Sequence, residues 1–221
     1  MSQKFTILFD LDGTLVDTAP DLIRAHNHVM KKFGYPSKSL EELRNAVGSG
    51  AKAMMAKDNG RWKWFDEKIQ NEMTDEFISF YGKNILHDST LINGVKEFLK
   101  WCKNQNISMA VCTNKTEHLA VDLLKKIGIY DYFEYVSGYN TFEYCKPDPR
   151  HLTNVVEILD GDLKKTIMIG DSETDANAGK AAEMPVILLE NGYTEKNTTE
   201  VYHNHLIKDL TGIEKIIKEY L

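Results

Sequence analysis

Phe5-Thr6-Ile7-Leu8-Phe9-Asp10-Leu11-Asp12-Gly13-Thr14 carries the first decision about the fold. The apolar run from Phe5 to Phe9 is too short for a helix. It reads as a strand buried on both faces, the pattern of a parallel sheet. It stops at two aspartates spaced two residues apart, and Gly13 permits a tight turn after them. Three later segments repeat the pattern. Ile107 to Cys112 ends at Thr113-Asn114-Lys115, Thr166 to Ile169 ends at Gly170-Asp171, and Pro185 to Leu189 ends at Glu190-Asn191-Gly192. Tyr135-Val136-Ser137 is a weaker strand candidate.

Helical periodicity separates these runs. Val95, Phe98, Leu99 and Cys102 share one helix face. Leu119 to Ile127 repeats that spacing, with Gly128 placed as a C-terminal cap. Residues 150–159 and 174–182 read as further helices, and Ile213 to Tyr220 closes the chain. Alternating strands and helices predict an α/β fold with a doubly wound parallel sheet. Between the first strand and Val95 no strand is expected. Residues 19–33, 40–46, 51–57 and 66–81 read as helix, punctuated by Gly34, Pro36, Gly48, Gly50, Gly60 and Gly82. An all-helical insertion at 17–83 within an α/β core of 1–16 and 84–221 is the expected organisation.

With 221 residues, the chain is long enough to bury a core without staples. A net charge of −6 argues against a nucleic-acid partner, which would favour a basic face. No apolar run approaches the length that spans a bilayer, so no membrane partner is expected. The opening Met1-Ser2-Gln3-Lys4 leads directly into the first strand without the apolar stretch of a secretory signal. The three cysteines, Cys102, Cys112 and Cys145, have no metal-ligand spacing and fit a reducing compartment. A soluble cytoplasmic protein is the expectation.

The polar clusters all fall at strand ends, where open parallel sheets bind ligands. Asp10 and Asp12 can present two carboxylates to one cavity. One can attack phosphorus while the other moves protons, although the same pattern also serves as a polar turn. Thr113 and Asn114, followed by a helix N-terminus, can cradle phosphate or simply cap the helix. Lys146, stiffened by Pro147 and Pro149, can neutralise charge between a carboxylate and phosphoryl oxygens, or lie solvated at the surface. Asp171 and Asp175 suit magnesium or its surroundings, and equally suit an acidic helix N-terminus. Taken together, so many grouped carboxylates call for a metal and a cation to offset them.

Phe9-Asp10-Leu11-Asp12-Gly13-Thr14-Leu15, Thr113-Asn114-Lys115, Lys146-Pro147 and Gly170-Asp171 through Asp175 resemble, in order and content, the four motifs of the haloacid dehalogenase superfamily. The match covers essentially the whole chain. The helical insertion resembles that superfamily's C1-type cap on a Rossmann-like core. The stretch from Asp12 to Leu22, Val47-Gly48-Ser49-Gly50-Ala51 and Asn191-Gly192-Tyr193 look most like the phosphoglycolate phosphatase subfamily. The resemblance implies that Asp10 is the nucleophile and a magnesium ligand. It implies that Asp12 is the general acid/base and lends its backbone carbonyl to the metal, and that Asp171 is the remaining carboxylate ligand. Asp175 would act through water or by orienting Lys146. Thr113 and Asn114 would bind phosphate, and Lys146 would neutralise charge. Glu183 departs from the Gly common in relatives, away from the chemistry.

The expected reaction is therefore hydrolysis of a small phosphomonoester, with 2-phosphoglycolate the leading substrate. Sugar phosphates, nucleotides and pyrophosphate are alternatives, as is a phosphomutase on the same site. A dehalogenase would need neither Asp12 nor magnesium. A non-enzymatic scaffold would not be expected to fill every catalytic position. Arg44 and Lys52 flank the glycine-punctuated 47–51 segment, and Arg44 is the expected partner for a substrate carboxylate. His26 and His28 do not share a helix face, and His203 and His205 lie in a polar stretch without acidic partners, so no zinc site is expected. Cys112 reads as a small buried hydrophobe. Arg61-Trp62-Lys63-Trp64-Phe65 reads as packing within the cap.

Overall fold

The computed structural model describes residues 4–43, 46–47, 50–57, 66–194 and 196–221. Arg44, Gly48, Ser49 and the stretch from Arg61 to Phe65 lie outside the described residues.

β1 (Thr6–Phe9) sits inside a six-stranded parallel sheet. On one side lie β4 (Ser108–Cys112) and then β5 (Tyr135–Ser137). On the other lie β6 (Thr166–Gly170), β7 (Val186–Leu189) and β8 (His205–Ile207). The near-continuous apolar character of β1 follows from helices on both faces. Ile7 and Phe9 join one apolar cluster with Phe98, Leu99 and Leu123, from α5 (Val95–Asn104) and α6 (Glu117–Ile127). Leu8 points the other way, into a cluster with Leu152, Val155 and Ala176 from α7 (Arg150–Ile158) and α8 (Glu173–Ala181). Phe9 is level with Val111 on β4 and Ile169 on β6. That register brings the carboxyl ends of three strands to one edge. The chain winds outward through β4 and β5 and then returns to β6 on the far side of β1. This is the crossover at which such sheets open a crevice.

Two features differ from the sequence reading. β8 lies in the stretch read only as polar. As an edge strand with three half-buried residues it has no apolar run to announce it. β2 (Val16–Asp17) and β3 (Thr90–Leu91) form an antiparallel ribbon where no strand was expected. Two residues per strand are too few for any periodicity to show.

The helices between the ribbon's two strands are α1 (Ala19–Lys32), α2 (Leu40–Leu43), α3 (Ala51–Lys57) and α4 (Glu67–Lys83). α1 buries Leu22, Ile23, Val29 and Met30, and α4 buries Met73, Phe77 and Tyr81. His28 stacks on Phe80, its ring centroid 3.9 Å away, and its Nε2 lies 2.8 Å from Glu76. Near the chain's end is the short α9 (Glu214–Ile217). Among the described residues no helix is long and apolar enough to cross a membrane.

Asp21 clamps the start of α1 to the 87–89 loop. Its carboxylate accepts from the backbone N–H groups of His87, Asp88 and Ser89 at 3.0–3.1 Å and from the Ser89 hydroxyl at 2.6 Å. The Arg24 guanidinium adds a contact of 2.5 Å. Burial would raise the Asp21 carboxyl, but Ser89 and these amides hold it below its ordinary value. Asp21→Ala leaves several donors unpaired and is expected to destabilise the fold by at least about 2 kcal/mol in urea denaturation. A group held low stabilises above its unfolded value and loses that contribution as pH falls through the folded one. The stability gap between wild type and Asp21→Asn should therefore narrow below about pH 4. A gap that is constant with pH would show that the carboxylate charge is not what holds the loop.

Candidate active site

Asp10 follows the last residue of β1, and its backbone N–H donates to Ile169 O at 2.9 Å, which fixes it at the sheet's edge. Its carboxylate meets the Lys146 ammonium at 2.8 Å, and the same ammonium contacts Asp175 at 2.5 Å. All three residues are almost completely buried. Burial pushes the Asp10 carboxyl above its ordinary value. Lys146 opposes the rise, while Asp175 and Asp12 reinforce it. Burial pulls on Lys146 in the opposite sense, but Asp10 and Asp175 outweigh it and keep the ammonium charged.

Asp171 begins the turn after β6. Thr14 Oγ1 donates to its Oδ1 at 3.1 Å and Tyr193 N to its Oδ2 at 2.7 Å. Two glycines are required by these approaches. Gly13 has φ +86°, and a Cβ there would lie 2.2 Å from Asp171 Oδ2. A Cβ on Gly192 would lie 1.8 Å from Asp171 O. Asp175 is also the N3 residue of a capping box on α8. Its Oδ2 accepts from Asp171 N, Ser172 N and Ser172 Oγ at 2.7–3.1 Å. One side chain thus caps a helix and aims Lys146.

Asp12 is held differently. Lys115 donates to both of its oxygens, at 2.9 and 2.8 Å, and Thr18 Oγ1 donates to Oδ1 at 2.7 Å. Lys115 is buried and lies 4.6 Å from the centre of the Tyr81 ring, so one cation joins Asp12 to α4. The Thr113-Asn114-Lys115 reading gave Lys115 no role of its own.

Thr113 is buried, and its Oγ1 accepts from Lys115 N at 3.2 Å, which leaves its own proton to donate. Asn114 Nδ2 donates to Lys146 O at 2.9 Å and ties the second strand-end loop to the third. His151, fully buried, supports the Lys146 loop from beneath. Its Nδ1 accepts from Lys146 N at 3.3 Å, so the Nε2 proton goes to Ser137 Oγ at 2.6 Å. Burial, with the Lys146 ammonium, drives the imidazole down to about 3 and keeps it neutral. His151 and Lys115 were missed because a lone His on an apolar helix face and a Lys after a strand are ordinary in sequence. Cys112 is buried on β4, and its thiol is pushed up to about 12 by that burial.

Oxygen atoms from Asp10, Asp171 and Asp175 lie within 4.8 Å of one another. The donor set is all hard oxygen, and burial together with Asp175 and Asp10 raises the Asp171 carboxyl well above its ordinary value. Three buried carboxylates facing one lysine leave negative charge that a dication relieves, so the residues fit magnesium.

Beyond Asp12 opens a cavity of about 560 Å³ between α3, α4 and the 114–116 loop. Met54, Phe77, Ile78 and Leu119 give it apolar walls, and Lys52, Asn114, Lys115 and Thr116 also line it.

The motif residues thus converge on one crevice at the crossover of a doubly wound sheet. Residues 7–189 match the model of the haloacid dehalogenase-like hydrolases. The chain belongs to that family. It is 36% identical over 215 residues to a phosphoglycolate phosphatase of Agrobacterium fabrum, covering 97% of this chain and 92% of the relative. A phosphoglycolate phosphatase of Mesorhizobium japonicum is 32% identical over 216 residues, covering 97% and 95%. The fold is similar to the crystal structure of a predicted phosphoglycolate phosphatase from Haemophilus somnus, with TM-score 0.90, 29% identity and coverage of 98% and 99%.

Proposed function

We propose that the protein hydrolyses the phosphomonoester of a short anionic metabolite, 2-phosphoglycolate first among them, through a phospho-Asp10 intermediate. The observation that carries this reading is the buried Asp10 carboxylate, held 2.8 Å from Lys146 and grouped with Asp171 and Asp175. The relatives named as phosphoglycolate phosphatases support the substrate.

An Asp10 oxygen attacks phosphorus as the bond to the ester oxygen breaks, and Asp12 gives that oxygen its proton. Water then attacks the phospho-Asp10 phosphorus, Asp12 takes a proton from the water, and phosphate leaves with the Asp10 carboxylate restored. Thr113 donates to the phosphoryl oxygens, and Lys146 offsets their charge against that of Asp10. Magnesium held by Asp10, Asp171 and the Asp12 backbone carbonyl would polarise the phosphoryl oxygens. Asp175 serves by orienting Lys146 from behind. The helices of 17–83 act as a cap over the crevice and exclude bulk water.

Phosphate release from 2-phosphoglycolate, a hexose phosphate, a nucleotide and pyrophosphate, each with and without magnesium, tests the reading. The highest kcat/KM is expected for 2-phosphoglycolate. If it ranks well below the hexose phosphate or nucleotide, the substrate is wrong while the mechanism stands. Asp12→Asn should lower kcat by at least ~100-fold, with greater loss on alkyl than on nitrophenyl phosphates, whose leaving groups need no proton. Equal losses on both would make Asp12 a structural residue.

A further inference from the structure

We infer that Tyr193 is a positioning residue for the proposed reaction. It joins Asp171, in the carboxylate cluster, to the 17–19 segment through which the chain leaves the sheet for α1. Metal binding at the cluster is thereby coupled to the placement of the helices between β2 and β3. The inference rests on the reading of that cluster as a magnesium site.

Tyr193 is 4% exposed and reaches the two places with different atoms. Its backbone N–H donates to Asp171 Oδ2 at 2.7 Å. Its phenol donates to Asp17 Oδ1 at 2.5 Å and accepts from Ala19 N at 3.1 Å. Ala19 is the first residue of α1, where an N–H has no partner within the helix. Thr18, the N-cap, makes no side-chain capping bond, and its hydroxyl donates to Asp12 instead. A side chain 174 positions away therefore serves the first amide of α1. Between these ends the ring lies over the turn after Asp12. A Cβ on Gly13 would come within 2.8 Å of Tyr193 Cδ2 and 2.2 Å of Asp171 Oδ2, so the glycine leaves room for ring and carboxylate together.

Asp17 is also where the helices are hinged to the sheet. It pairs with Thr90, and Val16 with Leu91, and those two pairs make up the whole β2–β3 ribbon. So short a ladder holds its place weakly by itself. A cavity of about 310 Å³ lies along the ribbon, lined in part by Asp17, Thr90, Leu189, Tyr193 and Lys208. Open space borders the segment there, so the hydrogen bonds of Tyr193 do the holding. A tyrosine has few rotatable bonds, and burial restricts them, so a shift of its backbone carries to its hydroxyl. A cation that steadies Asp171 steadies the hinge, and by reciprocity a fixed hinge favours the cation.

The test follows hydrogen exchange of the Ala19 amide by NMR, with and without magnesium and with no substrate present. Magnesium should slow that exchange at least about fivefold in wild type, the lower end of usual coupling between sites. Tyr193→Phe keeps the ring and the backbone bond to Asp171 and removes only the hydroxyl. Its melting temperature should still rise with magnesium, while Ala19 exchange no longer responds. Asp17→Ala removes the same contact from the other side and should shrink the response, which covers the case of a Tyr193→Phe protein that does not fold. With nitrophenyl phosphate, kcat should fall about tenfold in either variant, the worth of a bond to a charged group, and no further in the double variant. An Ala19 amide indifferent to magnesium, in a wild-type protein whose melting temperature magnesium raises, leaves the metal reading standing and overturns the coupling. A full response in Tyr193→Phe overturns Tyr193 as the link, and so do additive losses in the double variant. A wild-type melting temperature that magnesium does not raise overturns the metal reading and this inference with it.

Discussion

On the proposed phospho-Asp10 mechanism, Asp10→Asn should reduce turnover by about 10⁴-fold or more while the protein stays folded, because losing the nucleophile removes a covalent pathway and not one contact within it. An amide is nearly the same size as a carboxylate, so no cavity forms. The substitution also removes a charge that burial disfavours and that Asp175 repels. Lys146 keeps Asp175 at 2.5 Å as its counterion, so no buried cation is stranded. The melting temperature of Asp10→Asn should therefore equal or exceed that of wild type. Phosphate release and a thermal scan on the same preparation check both halves. Substantial turnover in a folded Asp10→Asn protein would remove Asp10 as nucleophile. A large loss of stability would show that its charge is needed for folding.

Exhaustive chelation should stop phosphate release, and added magnesium should restore it. Asp10, Asp171 and Asp175 face one another within 4.8 Å, and Lys146 alone cannot balance three carboxylates. A dication that binds the folded state and not the unfolded one also stabilises the fold. At a hundredfold excess over its dissociation constant that linkage is about 2.7 kcal/mol, or on the order of 5 °C or more for a chain this long. Asp171→Asn should shrink the magnesium-dependent shift, since it takes one carboxylate out of the cluster and relieves part of the repulsion. Full activity after chelation, or a shift of unchanged size in Asp171→Asn, would separate this cluster from metal binding.

The strands, the longer helices and the chain positions of the candidate site carboxylates were legible for one reason: each is written in consecutive residues. β1 is apolar from Ile7 to Phe9 because Ile7 and Phe9 pack on one face and Leu8 on the other, so burial on both sides leaves a continuous run. Asp10, Asp171 and the Thr113-Asn114 pair follow such runs directly, and strand ends are where an open parallel sheet places a ligand. The helices between β2 and β3 carry their own periodicity. β8 escaped notice because an edge strand needs little apolar surface, and the β2–β3 ribbon because its strands are two residues long.

Side-chain partnerships needed the tertiary structure, since they join residues far apart in the chain. Asp12 is 103 positions from Lys115, and Asp21 is 66 to 68 from the amides it clamps. Gly192 appears in sequence as one residue of a turn, and only the approach of Asp171 shows why no side chain fits there. Tyr193 reads in sequence as the residue after that turn. The bonds of its hydroxyl to Asp17 and Ala19 cross 176 and 174 positions and become visible only in the folded chain. Local pattern determined which strands, helices and motif carboxylates this protein has, because periodicity and turn chemistry act over a few residues. The tertiary structure decided which groups face each other across the crevice, because burial and hydrogen bonding are settled by neighbours in space, and those neighbours come from distant parts of the chain.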